Sequence, residues 1–308
     1  MTAPADTGLS RRRRPWIFRA IVLLLVLILG TLALFIWLGG PSVPPQAVLV
    51  IDLRQGVQER REEGLSGLLG GSSLDLIDLR RIFLAAGGDS RVKGIVLRAG
   101  SGVLDLAQAE EIRAMVERFR RSGKPVLGYA EGADGPGYLA LSSADEVILD
   151  PSAYLDVLGV SLQAVFLGDA LRRLGLEFDL VRVGEYKGTY EQLTSGGPSP
   201  EFTKALAETA DSLSAIWVDA VAASRKIPPE KVRAAVDEAP LSPERALEAK
   251  LGDRIAYPDE LPRIVAARCG EPAPVPIEAA VYLEAVGERA SGPRFPSARA
   301  RRPVRSAE

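Results

Sequence analysis

The chain has 308 residues, room for an anchoring segment plus one large domain or two small ones, and its formal net charge of −2 shows no overall bias toward nucleic acid. It contains no histidine and one cysteine, Cys269, which excludes Ser-His-Asp and Cys-His catalysis, an intramolecular disulfide framework, multi-cysteine metal sites and the usual zinc ligands. Acid–base chemistry in this chain must rest on carboxylate, lysine or tyrosine.

Residues 1–14 form a short polar N-terminus ending in Arg11-Arg-Arg-Arg14, and no residue from Ala20 to Gly40 is charged. Residues 15–40 are predicted to form one transmembrane helix, because the apolar run is long enough to cross about 30 Å of hydrocarbon. Trp16 and Trp37 bracket it at the depth of an interfacial aromatic belt. A cleaved signal peptide would carry an apolar region of only about 7–15 residues followed by an A-x-A pattern, whereas this run passes into a Gly/Pro linker at 41–46. The arginine block places the N-terminus inside and the main domain on the outer, periplasmic face of the cytoplasmic (inner) membrane, a single-pass topology.

The main domain is expected over 47–268. Ala47-Val-Leu-Val-Ile-Asp52 reads as its first strand, and a Gly/Ser-rich excursion, 54–73, precedes a helix with Ser73 as N-cap and Leu76, Leu79, Ile82 and Phe83 on one face. Lys93–Arg98 reads as a buried strand, and Leu106–Arg121 as a helix with Ile112, Met115, Val116 and Phe119 inward. Lys124–Tyr129 and Glu146–Leu149 read as strands, Leu162–Leu174 as a helix and Phe178–Val183 as a further strand. Strands alternating with helices of this length predict an α/β fold with a largely parallel sheet and crossover helices. Ser199-Pro-Glu201 and Ser242-Pro-Glu244 are helix starts, with Leu206, Ala210, Leu213, Trp217 and Val221 on the core face of the first and Leu251-Gly252 closing the second. Residues 269–288 read as a linker, and 289–308 as a basic disordered tail with six arginines between 289 and 305.

One stretch stands out chemically. The strand at 178–183 runs into Val183-Gly-Glu-Tyr-Lys-Gly188 and then a Gly/Thr/Ser/Pro-rich loop. Lys187 therefore sits where a rigid strand hands over to a loop, a common place for a working side chain.

Three segments together resemble the signal peptide peptidase A family of Ser-Lys serine peptidases: the Lys187 stretch, Ser143-Ala-Asp-Glu-Val-Ile-Leu-Asp-Pro-Ser152, and Ala246-Leu-Glu-Ala-Lys-Leu-Gly-Asp253. The resemblance covers about Ala47 to Val265. It implies a ClpP/crotonase-like fold, a membrane-tethered oligomer and hydrolysis of cleaved signal peptides and other short or unfolded chains. It also implies that Lys187 is the general base; nothing in the sequence points to a metal or an organic cofactor. An ordinary lysine near pKa 10.4 is protonated at neutral pH, so burial would have to bring it to roughly 7–8 for it to take a serine proton.

The chain departs from the family at the nucleophile. Where a Ser-Gly-Gly-Tyr-like segment is expected, it reads Gly135-Pro136-Gly137-Tyr138, so Gly135 occupies the serine position and no nucleophile is assigned. Ser142 and Ser143 lie one to two helical turns on and are disfavoured. The glycines expected to help hold an oxyanion are degenerate too, reading Ala99-Gly-Ser-Gly-Val103. A lysine without a serine resembles the N-terminal half of the long, duplicated family type. The serine is then expected from a second half or a partner chain, and the second half is expected to have been lost, for instance by a frameshift near Arg294. By itself the chain is expected to be inactive. The competing reading is a non-catalytic membrane-anchored scaffold or a truncated inactive fragment. A crotonase-type acyl-CoA enzyme would share the fold but fits an external domain poorly, because its cofactor is cytoplasmic.

Overall fold

The computed structural model describes residues 22–31, 42–58, 74–178 and 190–287. The chain divides into two compact units, Met1–Ser42 and Val43–Glu308. In the first, residues 22–31 are helical and exposed; the rest of the expected 15–40 anchor lies outside the described residues. Among the described residues no helix is long and apolar enough to cross a membrane.

The second unit is built on a six-stranded sheet in the order β7-β5-β3-β2-β1-β8. Its strands are β1 (Ala47–Asp52), β2 (Val92–Ala99), β3 (Val126–Ala130), β5 (Glu146–Leu149), β7 (Arg254–Ile255) and β8 (Val275–Glu278). Every neighbouring pair is parallel. A parallel sheet needs crossovers. Helices α1 (Leu76–Gly88) and α2 (Leu106–Arg120) supply the first two, and α3 (Gly135–Ser142) lies between β3 and β5. A second, two-stranded parallel sheet pairs β4 (Ala133–Asp134) with β6 (Leu155–Asp156).

Strand alternation sorts the core into two layers. Leu49, Ile51, Ile95, Leu97, Val126 and Val147 point into the larger one with α1, α2 and α3. Val48, Val96, Leu127, Tyr129 and Ile148 point the other way, under Ile264 and Val265 of α9 (Leu261–Cys269). Each fully buried aliphatic side chain contributes about 1.5–3 kcal/mol, so the central strands β1–β3, apolar on both faces, dominate the stability of the unit.

Most expected elements are present, with informative differences. Helix α1 is capped by Asp75, whose carboxylate accepts from the Asp78 N–H at 2.6 Å; the expected cap, Ser73, lies outside the described residues. Helix α2 begins with a capping box made by Asp105 and Gln108. The helix expected over Leu162–Leu174 is confined to α4, Gly168–Arg173. Upstream, Val160, Leu162, Ala164 and Phe166 are half-buried at every second position while Val165 is 68% exposed, the period of extended chain rather than helix. Phe166 packs edge-on against Phe202, 5.4 Å between centroids. The strand expected at 178–183 has only Phe178 among the described residues.

After the short α5 (Glu191–Thr194) comes α6 (Pro200–Arg225), capped by Ser199 as expected. Its expected core face is half-buried at Leu206, Ala210 and Leu213 and fully buried at Trp217 and Val221. Helix α7 (Pro229–Glu238) follows, a helix that the reading above does not anticipate. Helix α8 (Pro243–Glu248) starts at Ser242 as expected, but Lys250, at φ 61°, takes the left-handed turn that ends it. Gly252 packs closely for another reason: a Cβ there would lie 2.9 Å from the Cδ1 methyls of Leu149 and Leu247, which would have to move aside.

The expected linker, 269–288, is a correction. It holds β8, which pairs with β1 at the sheet edge, and α10 (Ala279–Gly287), whose Tyr282 is buried. Pro276 is tolerated in β8 because an edge strand has one unpaired side. The tail 289–308 lies outside the described residues.

Candidate functional site

The described part of the candidate site is the N-terminus of α3. Strand β3 is central and buried along its whole length. Beyond it, Ala133 and Asp134 pair with Leu155 and Asp156, which fixes where α3 starts. Asp134 is the N-cap, with Pro136 in the first turn, where a missing N–H is tolerated. One Asp134 oxygen accepts from the Gly137 N–H at 2.8 Å and the other from the Gly102 N–H at 2.7 Å. A single carboxylate thus ties α3 to the loop after β2. The approach is close: a Cβ on Gly137 would stand 2.3 Å from the Gly100 carbonyl oxygen.

Gly135 is held from the other side. Its carbonyl accepts from Trp217 Nε1 at 2.8 Å, and the Trp217 ring lies 6.4 Å from that of Tyr138. Tyr138 is fully buried and donates to the Leu251 carbonyl at 2.8 Å; burial pushes its phenol well above the usual range. Gly135 and Pro136 border a cavity of about 220 Å³, whose other walls are Leu106, Gly159, Val160 and the Leu213, Ser214 and Trp217 side of α6. A larger cavity of about 670 Å³ opens between α1 and α2 over Phe83, Leu84, Met115 and Phe119 and shares no lining residue with it.

The two serines at the end of α3 are out of reach of a substrate. Ser142 and Ser143 are buried, the first donating to the Leu139 carbonyl at 2.8 Å and the second to the Arg113 carbonyl at 3.2 Å. Lys187, with Glu185 and Tyr186 beside it, lies outside the described residues. The structure therefore brings Gly135 together with the Gly100–Gly102 loop.

A polar network runs behind this loop at the carboxyl ends of the strands. Arg54 bonds to Asp52 and reaches Glu131 at 2.8 Å, and Glu131 also pairs with Arg98. Burial works to raise the Asp52 carboxyl, but the hydrogen bonds and charge of Arg54, with Arg98 adding to them, hold it below its usual range. Arg98 lies over the Tyr129 ring, 5.6 Å from its centroid, and Tyr129 donates to Asp150 at 2.8 Å. The Ser152 hydroxyl and N–H also bond to Asp150, and the Ser152 hydroxyl bond is the main reason the carboxyl sits low. Burial, then the Asp150 bond, push the Tyr129 phenol upward. Among the described residues no group of three or more Cys, Asp or Glu is placed to hold a metal ion.

Sequence reasoning located Gly135 and the degenerate loop but not Asp134. The one signal available was an acid one residue before Gly135-Pro136, the pattern of an N-cap followed by proline.

The geometry defines a parallel-sheet α/β protein with a glycine-lined helix start at the carboxyl end of its central strands. Residues 118–268 match the model of peptidase family S49. The resemblance to the signal peptide peptidase A family is borne out by this match. The chain is 28% identical over 224 residues to the chloroplastic serine protease SPPA of Arabidopsis thaliana, covering 73% of this chain and 32% of that protein. It is 27% identical over 199 residues to Protease 4 of Haemophilus influenzae, covering 60% of this chain and 31% of that protein. The chain thus spans about a third of the length of these relatives. A variant of the 1510-N membrane-bound stomatin-specific protease superposes with a TM-score of 0.45 and 11% identity over 76% of this chain and 97% of that one.

Proposed function

We propose that this chain is a membrane-anchored signal peptide peptidase subunit with a ClpP/crotonase-like domain, contributing Lys187 as general base to a Ser-Lys site whose serine comes from a second half or a partner chain. In that reading it stands on the outer face of the cytoplasmic membrane as a homo-oligomer or beside its serine-bearing homologue. Its substrates are cleaved signal peptides and other short or unfolded chains. A lysine brought to neutrality by burial takes the proton of the incoming serine, and the serine attacks the peptide carbonyl to give an acyl-enzyme that water then hydrolyses.

The observation that carries the divided-site reading is the start of α3. Gly135 offers no hydroxyl, Pro136 offers no N–H, and the Gly137 and Gly102 N–H groups are both engaged by Asp134. Position 135 therefore lacks the expected hydroxyl, and two of the N–H groups that could face a developing oxyanion are already taken. The similarity of this chain to about a third of longer proteases fits a part of a larger assembly. The test is to treat the purified chain with a fluorophosphonate serine probe and an apolar peptide substrate, alone and after mixing with a serine-bearing homologous half. No labelling and no turnover alone, with both appearing in the mixture and the label on the added half, is the expected result. Turnover by the isolated chain, or a label on it, overturns the proposal.

A further inference from the structure

We infer that the groove between α1 and α2 is a two-fold interface, filled by the same groove of a second copy of this chain with the two α2 helices antiparallel. The peptidase reading leaves the assembling face open, and the inference stands apart from it on the residues of the groove.

The groove is the cavity of about 670 Å³. Phe83, Met115 and Phe119 form its floor, all buried, with the two phenyl rings edge-on at 6.1 Å. Above that floor, α2 and the turn after it present Ala107, Glu111, Ala114, Arg118 and Ser122, every one exposed and lining the groove. Steps of three or four residues keep them on one face of the helix. The stripe is open to a second helix at close range, because Ala107 and Ala114 carry only a methyl and Gly87 across the groove carries none. The distance between packed helices shrinks with the side chains at the contact. Leu84 of α1, 54% exposed beside the stripe, supplies apolar surface for such a helix to cover.

The stripe is complementary to itself in reverse. Turned end for end about a point between Ala114 and Met115, it sets Glu111 against Arg118, Arg118 against Glu111, Ala107 against Ser122 and Ala114 beside its own copy. A two-fold axis imposes that reversal, because in an isologous contact residue i meets j and j meets i. The charges are available. Among the described residues, Glu110 and Glu117 are tied to Arg113, whereas Glu111, Arg118 and Arg80 on the opposite wall hold no ion pair. Glu111 and Arg118 cannot satisfy each other within one chain, since about two turns of helix, roughly 10 Å, separate them. A purely basic partner would meet Arg80 and Arg118, and a purely acidic one Glu110 and Glu111. A copy of this face brings both signs in the matching order.

The test is charge reversal in the full chain, solubilised in mild detergent, with protein mass followed by light scattering over about 1–100 μM, a range that includes the weak, micromolar end of specific interfaces. Glu111→Arg and Arg118→Glu each set like charges against each other twice across the axis. Each should move the dissociation midpoint at least about tenfold to higher concentration. A one-to-one mixture of the two variants matches opposite charges at both contacts and should return the midpoint to that of the wild type, as should the double variant carrying both substitutions. Ala114→Trp, which fills the space at the axis from an exposed position, checks the contact without changing charge and should also weaken association at least about tenfold. A wild type that stays monomeric across the range overturns the inference. So do single variants with the wild-type midpoint, weakened variants that the mixture does not restore, or association that needs an added serine-bearing homologous half. The assay needs no turnover, so this pairing in a chain whose Lys187 proves dispensable for hydrolysis refutes the proposed function and leaves the interface standing.

Discussion

Helix α3 contains two glycines, 135 and 137, for which the structure predicts opposite responses to the same added methyl group. At Gly135 a Cβ meets nothing nearer than Trp217 Nε1 at 3.6 Å, an ordinary contact. Gly135→Ala should leave stability within about 0.5 kcal/mol of wild type or raise it slightly, because alanine has less backbone entropy to lose. At Gly137 the Cβ would stand 2.3 Å from the Gly100 carbonyl oxygen and 3.0 Å from Asp134 Oδ1. A backbone oxygen cannot swing away, so either α3 or the loop after β2 must shift. Such overpacking costs about 1–3 kcal/mol. The shift also strains the two hydrogen bonds to the Asp134 carboxylate, and losing both, at about 1.5 kcal/mol each, would bring the total to roughly 4–6 kcal/mol. For a unit of this size 1 kcal/mol corresponds to about 2–4 °C in Tm, so Gly137→Ala should melt at least about 4 °C below Gly135→Ala. Urea and thermal unfolding of the two variants side by side measure the difference. Equal stabilities, or Gly135→Ala as the more damaged of the two, would refute the placement of α3 against the Gly100–Gly102 loop.

Three further outcomes are expected. Glu146 is 3% exposed at its side chain and pairs with both Arg254 and Arg268, which are about half exposed. Glu146→Ala should lower stability by about 1–3 kcal/mol in urea unfolding, less than a fully buried pair because water screens the arginines it abandons; a change under 0.5 kcal/mol would show the triad to be idle. Hydrogen bonding from Arg91, opposed by burial, holds Asp89 down at about 2 from its ordinary 3.8. A depressed folded pKa contributes stability above the unfolded value that is lost as pH falls toward the folded one, so the deficit of Asp89→Asn, about 1 kcal/mol at pH 7 after solvent screening, should shrink between pH 4 and pH 2. A deficit constant across that window contradicts the assignment. Burial pushes the Cys269 thiol from an ordinary 9.0 up to about 11. At pH 8 it should react with a disulfide reagent roughly a hundredfold more slowly than the same thiol in urea, and stability should fall as pH rises from about 9 through 11; equal rates in native and unfolded chain would sink the idea.

The parts of the fold legible in the sequence are those where one local signal decides. Ser199-Pro200 and Ser242-Pro243 mark helix starts because a hydroxyl cap and a proline lacking an N–H suit only that place. The runs at 47–52 and 93–98 read as strands because they are apolar on both faces, as central parallel strands must be. Where two periods compete, the reading failed. Val160, Leu162, Ala164 and Phe166 alternate, yet Leu167 and Leu171 stand four apart as on one helix face, and the packing of Phe166 on Phe202 goes with the alternating pattern. Residues 269–288 read as a linker, yet they hold an edge strand and a helix, and Pro276 in that strand is accommodated because a sheet edge has one unpaired side.

At the candidate site the sequence revealed what is missing more readily than what replaces it. Gly135 and Pro136 announce the lack of a hydroxyl and an N–H by their identity alone. The role of Asp134 depends on the Gly102 N–H, 32 positions away in the chain, and the cavity depends on Trp217, 82 positions from Gly135. Such pairings are set by the order of the strands and leave no local trace. Trp217 was read as helix core, which it is, and the same indole also walls the cavity.

The central claim is that this chain contributes a base and borrows a nucleophile. It is tested most directly by measuring peptide hydrolysis in the complete, serine-bearing assembly with Lys187, Lys187→Ala and Lys187→Arg. The account predicts that both substitutions abolish turnover while assembly and melting temperature are unchanged, arginine failing because it stays protonated at any working pH. Hydrolysis near the wild-type rate in either variant would contradict it.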